Sequence, residues 1–398
     1  MSRASITLAA VACACPALLP AQGAPTRTLS KPEAEFSEPF TVVSGVRELR
    51  GGRVIAVDSR DKTVQLLDFA SGEARPIGRE GSGPGEYSQP LGVYPLPGDS
   101  SLVYDPLNQR FLVITPDGKP ASVMTMAGGG QGGARVSMQV PRGMDRQGRI
   151  YYQGSGFQMT PEGPKSSDSV AVLRYDRGTK KTDTITYIAM PGNLSVTTSG
   201  SRGGSGGAGA GGRGMQVMMR MGGGDPFAPQ DAWTVTPDGR IAVLRASDYH
   251  VDWIGANGAR SRGPAIPFAK IRVTEADKKA WRDNFGKNTT MIMRQEGPGG
   301  TRTTTPTAPP VQEPEKWSDV KPPFAGAPIA APDGSIWVAR SRAASDPTPT
   351  YDVLDATGKV TARVALPAKS RVVGFGNGTV YVVRTDEDDL QYLQRFRM

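Results

Sequence analysis

The sequence predicts an all-β fold: a six-bladed β-propeller with four-stranded blades, closed by an N-terminal strand that completes the last blade. Three observations predict it. A unit of one tight turn followed by an apolar strand recurs six times. The first three turn glycines, at positions 52, 98 and 148, are 46 and 50 residues apart. Glycine (50) and proline (34) together make up about 21% of the 398 residues, against roughly 12% in average usage, so the chain is unusually rich in turns.

The first 23 residues read as a secretory signal. Arg3 is a short basic start, and Ile6 to Leu19 is an uncharged apolar run too short to cross a bilayer as a helix. Small residues follow at 20–24. Both cysteines, Cys13 and Cys15, fall inside this segment. Cleavage near Gln22 or Ala24 leaves a mature chain without thiols, which removes thiol catalysis and Cys-bound zinc. The chain is therefore expected to be exported, periplasmic or extracellular, with no transmembrane segment. A monomer is the default.

The propeller is expected over residues 35–398. Its six turns each lead into a strand. Gly51-Gly52-Arg53 precedes Val54 to Asp58, Pro97-Gly98-Asp99 precedes Leu102 to Asp105, and Gln147-Gly148-Arg149 precedes Ile150 to Tyr152. Asp238-Gly239-Arg240 precedes Ile241 to Leu244, Asp333-Gly334-Ser335 precedes Ile336 to Ala339, and Asn377-Gly378-Thr379 precedes Val380 to Val383. Asp-Gly and Asn-Gly tolerate the positive φ of hairpin turns, and the β-branched and aromatic residues after them suit a buried sheet. A second strand follows each first one, as at Thr63 to Leu67 and Arg110 to Ile114. Four-stranded units at this period are the sequence mark of a propeller.

The last unit stops after its third strand. The unassigned segment Phe36 to Val43 is expected to supply the fourth and so remove an open sheet edge.

Three insertions interrupt the period. Residues 199–224 are glycine-rich and expected to be mobile, with a methionine cluster at Met215, Met218, Met219 and Met221 that would suit an adhesive surface. Arg202 and its glycine neighbours match RNA-binding tails in composition. No aromatics interleave them for base stacking, so nucleic acid is set aside. Residues 274–286 read as an inserted helix, with Thr274 and Asp277 as a capping box and Trp281 and Phe285 on one face. Residues 298–323 are rich in Thr and Pro and read as an extended tether.

The formal charge is +9, which suits anionic partners such as acidic glycans and serves solubility as well. The single histidine, His250, begins a strand and reads as structural. No G-x-S-x-G accompanies it. Gly81 to Glu86 matches a phosphate-cradling glycine pattern only superficially, because no helix or Lys-Ser/Thr follows. Asp386-Glu387-Asp388-Asp389 is the densest run of carboxylates. As a metal site it would use Asp386, Asp388 and Asp389 to hold a hard cation such as Ca2+; otherwise it is a solvated acidic turn, and no cofactor is expected.

Gly78-Arg79-Glu80-Gly81-Ser82-Gly83-Pro84-Gly85-Glu86-Tyr87, then Gln89-Pro90, resembles the linker between blades of NHL-like six-bladed propellers. The likeness continues through Leu102 to Asp105 and Asn108 to Phe111, and covers residues 75–120 best. It implies a central channel and loop faces that bind proteins, glycans or small molecules. Some six-bladed relatives are calcium-dependent lactonases, but their metal ligands do not map onto this sequence residue by residue. Fold analogy alone carries no activity.

The favoured reading is a non-catalytic exported binding module for a protein, glycan or small molecule. A cation-dependent lactonase or hydrolase is second, and a scaffold of a cell-surface complex third. Candidate contact residues are Arg79, Glu86 and Tyr87 at the first blade junction, and Trp281 if the helix is a lid. The alternative for the first three is structural: pinning the linker and filling the space between blades.

Overall fold

The computed structural model describes residues 24–125, 140–154, 157–160, 163–166, 169–189, 194–199, 216–221, 225–284, 293–297, 300–304 and 313–398. The signal segment with Cys13 and Cys15, most of the glycine-rich stretch, and Phe285 with Gly286 lie outside them.

Six sheets with four antiparallel strands each form the blades, one of them extended by a fifth strand. Blade one runs from Val43–Glu48 to Glu73–Pro76, and blade two from Gly92–Pro95 to Pro120–Thr125. Blade three runs from Pro141–Met144 to Lys181–Ala189, and blade four from Ala232–Val235 to Arg260–Arg262. Blade five runs from Ile329–Ala330 to Val360–Ala365, and blade six from Ser370–Phe375 to Gln391–Arg397.

The buried side chains fall into six clusters, and each cluster joins two consecutive blades. Ile55, Val57, Val103 and Leu112 join one to two. Tyr104, Phe111, Ile150 and Tyr152 join two to three. Tyr151, Val172, Trp233 and Val243 join three to four, and Leu244, Tyr249, Ile336 and Val338 join four to five. Trp337, Tyr351, Val380 and Val382 join five to six. Val54, Ala56, Tyr381 and Val383 join six to one and close the ring.

This arrangement explains the continuous apolar runs of the second strands. Side chains alternate between the two faces of a strand. Val54 and Ala56 feed the junction with blade six, whereas Ile55 and Val57 feed the junction with blade two. Burying both faces is worth about 1.5–3 kcal/mol per large apolar side chain.

The six turn glycines, at 52, 98, 148, 239, 334 and 378, all have positive φ, between 69° and 88°. The inner strands of blades one, three and six carry a bulge followed by Gly45, Gly143 and Gly374. A Cβ on Gly45 would lie 2.8 Å from the Val93 nitrogen, and one on Gly374 would lie 2.9 Å from the Val46 oxygen. Those glycines let neighbouring inner strands converge on the axis.

The N-terminal segment closes blade six. Ala34–Glu35 pairs antiparallel with Gln391–Arg397. The Phe36 N–H donates to the Leu393 oxygen at 2.8 Å, and Phe40 and Gln391 exchange backbone bonds of 2.7 and 2.8 Å. The closing strand therefore begins two residues before the expected Phe36, and Val43 already belongs to blade one. Thr26–Thr28 adds a parallel fifth strand to the outer edge of blade five.

The pairing order sorts the connections onto two faces. Every inner strand runs into its glycine turn, so those turns and the outer hairpins share one face, the turn face. The loops between second and third strands and all blade-to-blade linkers share the other, the loop face. The long insertions leave from and return to the loop face.

On that face, the helix Glu275–Asn284 carries a reciprocal cap: the Thr274 N–H donates to Asp277 Oδ2 at 2.9 Å, and the Asp277 N–H to Thr274 Oγ1 at 3.4 Å. Leu194–Ser199 pairs with Gln216–Met221, which contains Met218 and Met219. Met293–Gly297 pairs with Gly300–Thr304, inside the segment read as a tether.

Candidate functional site

A cavity of about 430 Å³ opens on the loop face where the inner strands of blades three, four and five begin. That is within the range of roughly 300–1,000 Å³ usual for small-molecule sites. Arg142 contributes from blade three, Trp233 from blade four, and Arg340, Ser341 and Arg342 from the top of blade five. Gln153 and Ala232 add to the strand walls, and two linkers supply the rest, through Pro226, Phe227, Asp231, Lys321, Phe324 and Ala327 among others.

The linker walls are held by specific bonds. Asp225 accepts the Phe227 N–H at 2.9 Å and the Ser318 N–H at 2.7 Å, so one carboxylate ties both segments together. Phe227 packs on Trp317 at 5.8 Å, and Trp317 meets Trp281 edge-on at 5.4 Å. Lys321 donates to Asp277 Oδ1 at 2.6 Å and to the Arg342 oxygen at 2.6 Å. Asp277 is buried at 4% exposure. Burial opposes its charge, but Lys321 and the Thr274 N–H override it and hold the carboxyl below its ordinary value. Through this pair the helix is fastened to the cavity wall.

The charges of the cavity do not balance. Lys321 is paired with Asp277, and Arg340 reaches both oxygens of Asp352 at 3.0 and 2.8 Å. Asp231 is occupied by Arg245 at 2.7 Å and by the Ala246 N–H at 3.0 Å. Among the described residues, the Arg342 guanidinium bonds only the Asp346 backbone oxygen. Arg142 is exposed on the cavity lining and has neither a hydrogen bond nor a salt bridge to any described residue. Partial desolvation in the cavity lowers its guanidinium below the ordinary arginine value, with Tyr94 opposing.

The candidates read from the sequence all lie on the loop face, but none lines this cavity. Arg79 Nε donates to Glu86 Oε1 at 2.8 Å, and Glu86 Oε2 accepts the Gly83 N–H at 2.7 Å. The Gly83 N–H first and Arg79 second hold the Glu86 carboxyl below its usual range. A Cβ on Gly81 would stand 2.2 Å from Glu86 Oε2, so the glycines of this linker make room for that carboxylate. Arg79 and Glu86 border only an open depression with Pro120. Tyr87 is buried between blades one and two, and its hydroxyl accepts the Val64 N–H at 3.1 Å. These contacts are those of a pinned linker. Trp281 packs behind Phe227 through Trp317.

His250 is buried between Asp248 at 2.9 Å and Asp252 at 3.1 Å, with Arg262 beside it.

Among the described residues no group of three or more His, Cys, Asp or Glu side chains could hold a metal ion. The carboxylates of Asp386, Asp388 and Asp389 are therefore not gathered as the metal reading required. Asp386 Oδ1 instead accepts the N–H groups of Asp388 and Leu390, both at 2.9 Å. It caps its own turn, which the short sequence spacing makes easy.

Arg142 carried no motif in the sequence. Its one signal was position, directly before the inner-strand Gly143, as Ser44 precedes Gly45 and Val373 precedes Gly374.

No protein-family model matches the chain, and no curated protein does. Solved structures do. A calcium-binding protein, regucalcin, from Agrobacterium tumefaciens is 11% identical, with 94% of this chain and 98% of that one covered and a TM-score of 0.42. A member of the DUF4221 family from Bacteroides vulgatus is 8% identical, covering 92% and 96%, with a TM-score of 0.46. A gluconolactonase from Xanthomonas campestris is 9% identical, covering 91% of each chain, with a TM-score of 0.42. Likeness at this level says nothing of this chain's chemistry. Among the described residues no helix is long and apolar enough to cross a membrane.

Proposed function

We propose that this chain is an exported binding module of NHL-like type that takes a small molecule, or the terminal group of a larger one, on its loop face. The observation that supports this reading is the cavity among blades three, four and five. Its walls combine rigid inner strands with linkers fastened by Asp225 and by the Lys321–Asp277 pair. Rings at Phe227 and Phe324 offer apolar contact, and Gln153, Gln230 and Ser341 offer hydrogen bonds. A few convergent polar groups in an apolar cleft are what small-molecule recognition needs.

The test is a screen of small polar metabolites by thermal shift on the mature chain and on Ala327→Trp. Ala327 is exposed at the cavity wall, so the indole fills the space without entering the core. Compounds that raise the melting temperature of the native chain should not raise that of Ala327→Trp. Shifts of equal size in both proteins would place binding elsewhere. Calcium-restored turnover of a lactone by a metal-depleted sample would replace this reading with the hydrolase one.

A further inference from the structure

We infer that the ligand of this cavity carries an oxyanion, a carboxylate or a phosphate, seated on Arg142. This deepens the binding reading above and rests on it. Four cations line the cavity, Arg142, Lys321, Arg340 and Arg342, against one carboxylate, Asp231. Asp277 and Asp352 neutralise Lys321 and Arg340 from behind the wall, and Asp231 is held by Arg245. Arg142 and Arg342 are left without a carboxylate among the described residues.

Arg142 is the sharper of the two. Its backbone is fixed by the bulge between Pro141 and Gly143 in the inner strand of blade three. Below it, the Tyr94 hydroxyl donates to the Pro141 oxygen at 2.8 Å and holds that turn of the chain in place. The Arg142 guanidinium is open to solvent on the cavity lining and bonds no described residue, so its donors are available to a ligand. Its planar fork of donors matches a carboxylate or a phosphate in bidentate fashion. Phe227 and Phe324, on the opposite linkers, provide a surface for an apolar body attached to that anion.

The experiment is calorimetric titration of the mature chain with phenyl phosphate, phenylacetate and the neutral phenylacetamide. The native chain should bind at least one anion about tenfold or more tighter than the amide, the worth of one charge-assisted bond. Arg142→Gln should bring all three within about threefold of one another while leaving the melting temperature unchanged. Arg142→Lys should keep part of the preference. The balance between phenylacetate and phenyl phosphate tells which oxyanion is favoured.

If the amide binds as tightly as the anions, and Ala327→Trp abolishes all binding, the cavity is a binding site and the oxyanion inference fails. A preference that survives in Arg142→Gln also overturns it, as does the absence of anion binding at millimolar concentration. Binding that persists in Ala327→Trp overturns the cavity itself.

Discussion

Tyr249 of blade four donates its hydroxyl to Asp352 of blade five across 2.9 Å. Asp352 is wholly buried, and also accepts from Arg340 at 2.8 Å and from Arg363 at 3.1 Å. One carboxylate thus joins a blade junction, an outer strand and a residue of the cavity wall. Removing a partner from a buried ion pair is strongly destabilising, because the remaining charges stay unpaired. Asp352→Ala should cost about 3–5 kcal/mol, and Tyr249→Phe about 1.5–3 kcal/mol. Denaturant unfolding of both variants measures this; equal and small losses would show that the junction is held by its apolar cluster alone.

Ring closure makes a second prediction. Phe36 is buried at 1% exposure, packs on Phe69 at 5.8 Å and sits on the strand that completes blade six. Phe36→Ala should cost about 3–5 kcal/mol. A chain beginning at Thr41 lacks that strand and leaves the edge of blade six open, so its melting temperature should collapse and its tendency to aggregate rise. An unchanged melting temperature would refute closure by this segment.

The molecule should be labile to alkali. Burial pushes Tyr104 and Tyr151 up to about 12, and also raises Tyr94, Tyr249 and Tyr381. An unfolded tyrosine titrates near roughly 10. The folded state therefore binds protons that the unfolded state releases above that pH. The stability these phenols contribute is complete below about pH 10 and is lost as the pH rises through their folded values. Ultraviolet titration of the phenolates should show most tyrosines ionising together with unfolding, instead of as a smooth curve centred near 10.

Calcium should leave stability alone. Asp386 is committed to the Asp388 and Leu390 N–H groups, so adding Ca2+ or a chelator should not move the melting temperature. Asp386→Ala should cost about 1–2 kcal/mol through the two lost bonds. A calcium-dependent rise that Asp386→Asn abolishes would restore the metal reading.

The blades were legible in the sequence because each repeats one local rule. Gly52, Gly98, Gly148, Gly239, Gly334 and Gly378 each need positive φ, and each is followed by a strand buried on both faces. The fifth strand Thr26–Thr28 was not legible, because a short polar strand on an outer edge has no hydrophobic pattern to show. The site was hidden for a different reason. Its walls come from segments separated by up to some two hundred positions, from Arg142 to Arg342, and only the ring brings them together. In the acidic run, Asp386 spends one carboxylate oxygen on its own turn, which the sequence spacing alone did not show. Gly81 and Gly83 stood out in the linker pattern, and the structure explains them through the Glu86 carboxylate they accommodate, not through a ligand.

The most direct test of the account is a crystal structure of the mature chain grown with phenyl phosphate. The account predicts the phosphate within hydrogen-bond distance of the Arg142 guanidinium, and the ring against Phe227. Phosphate bound on the turn face, or at the turn that Asp386 caps, would contradict it.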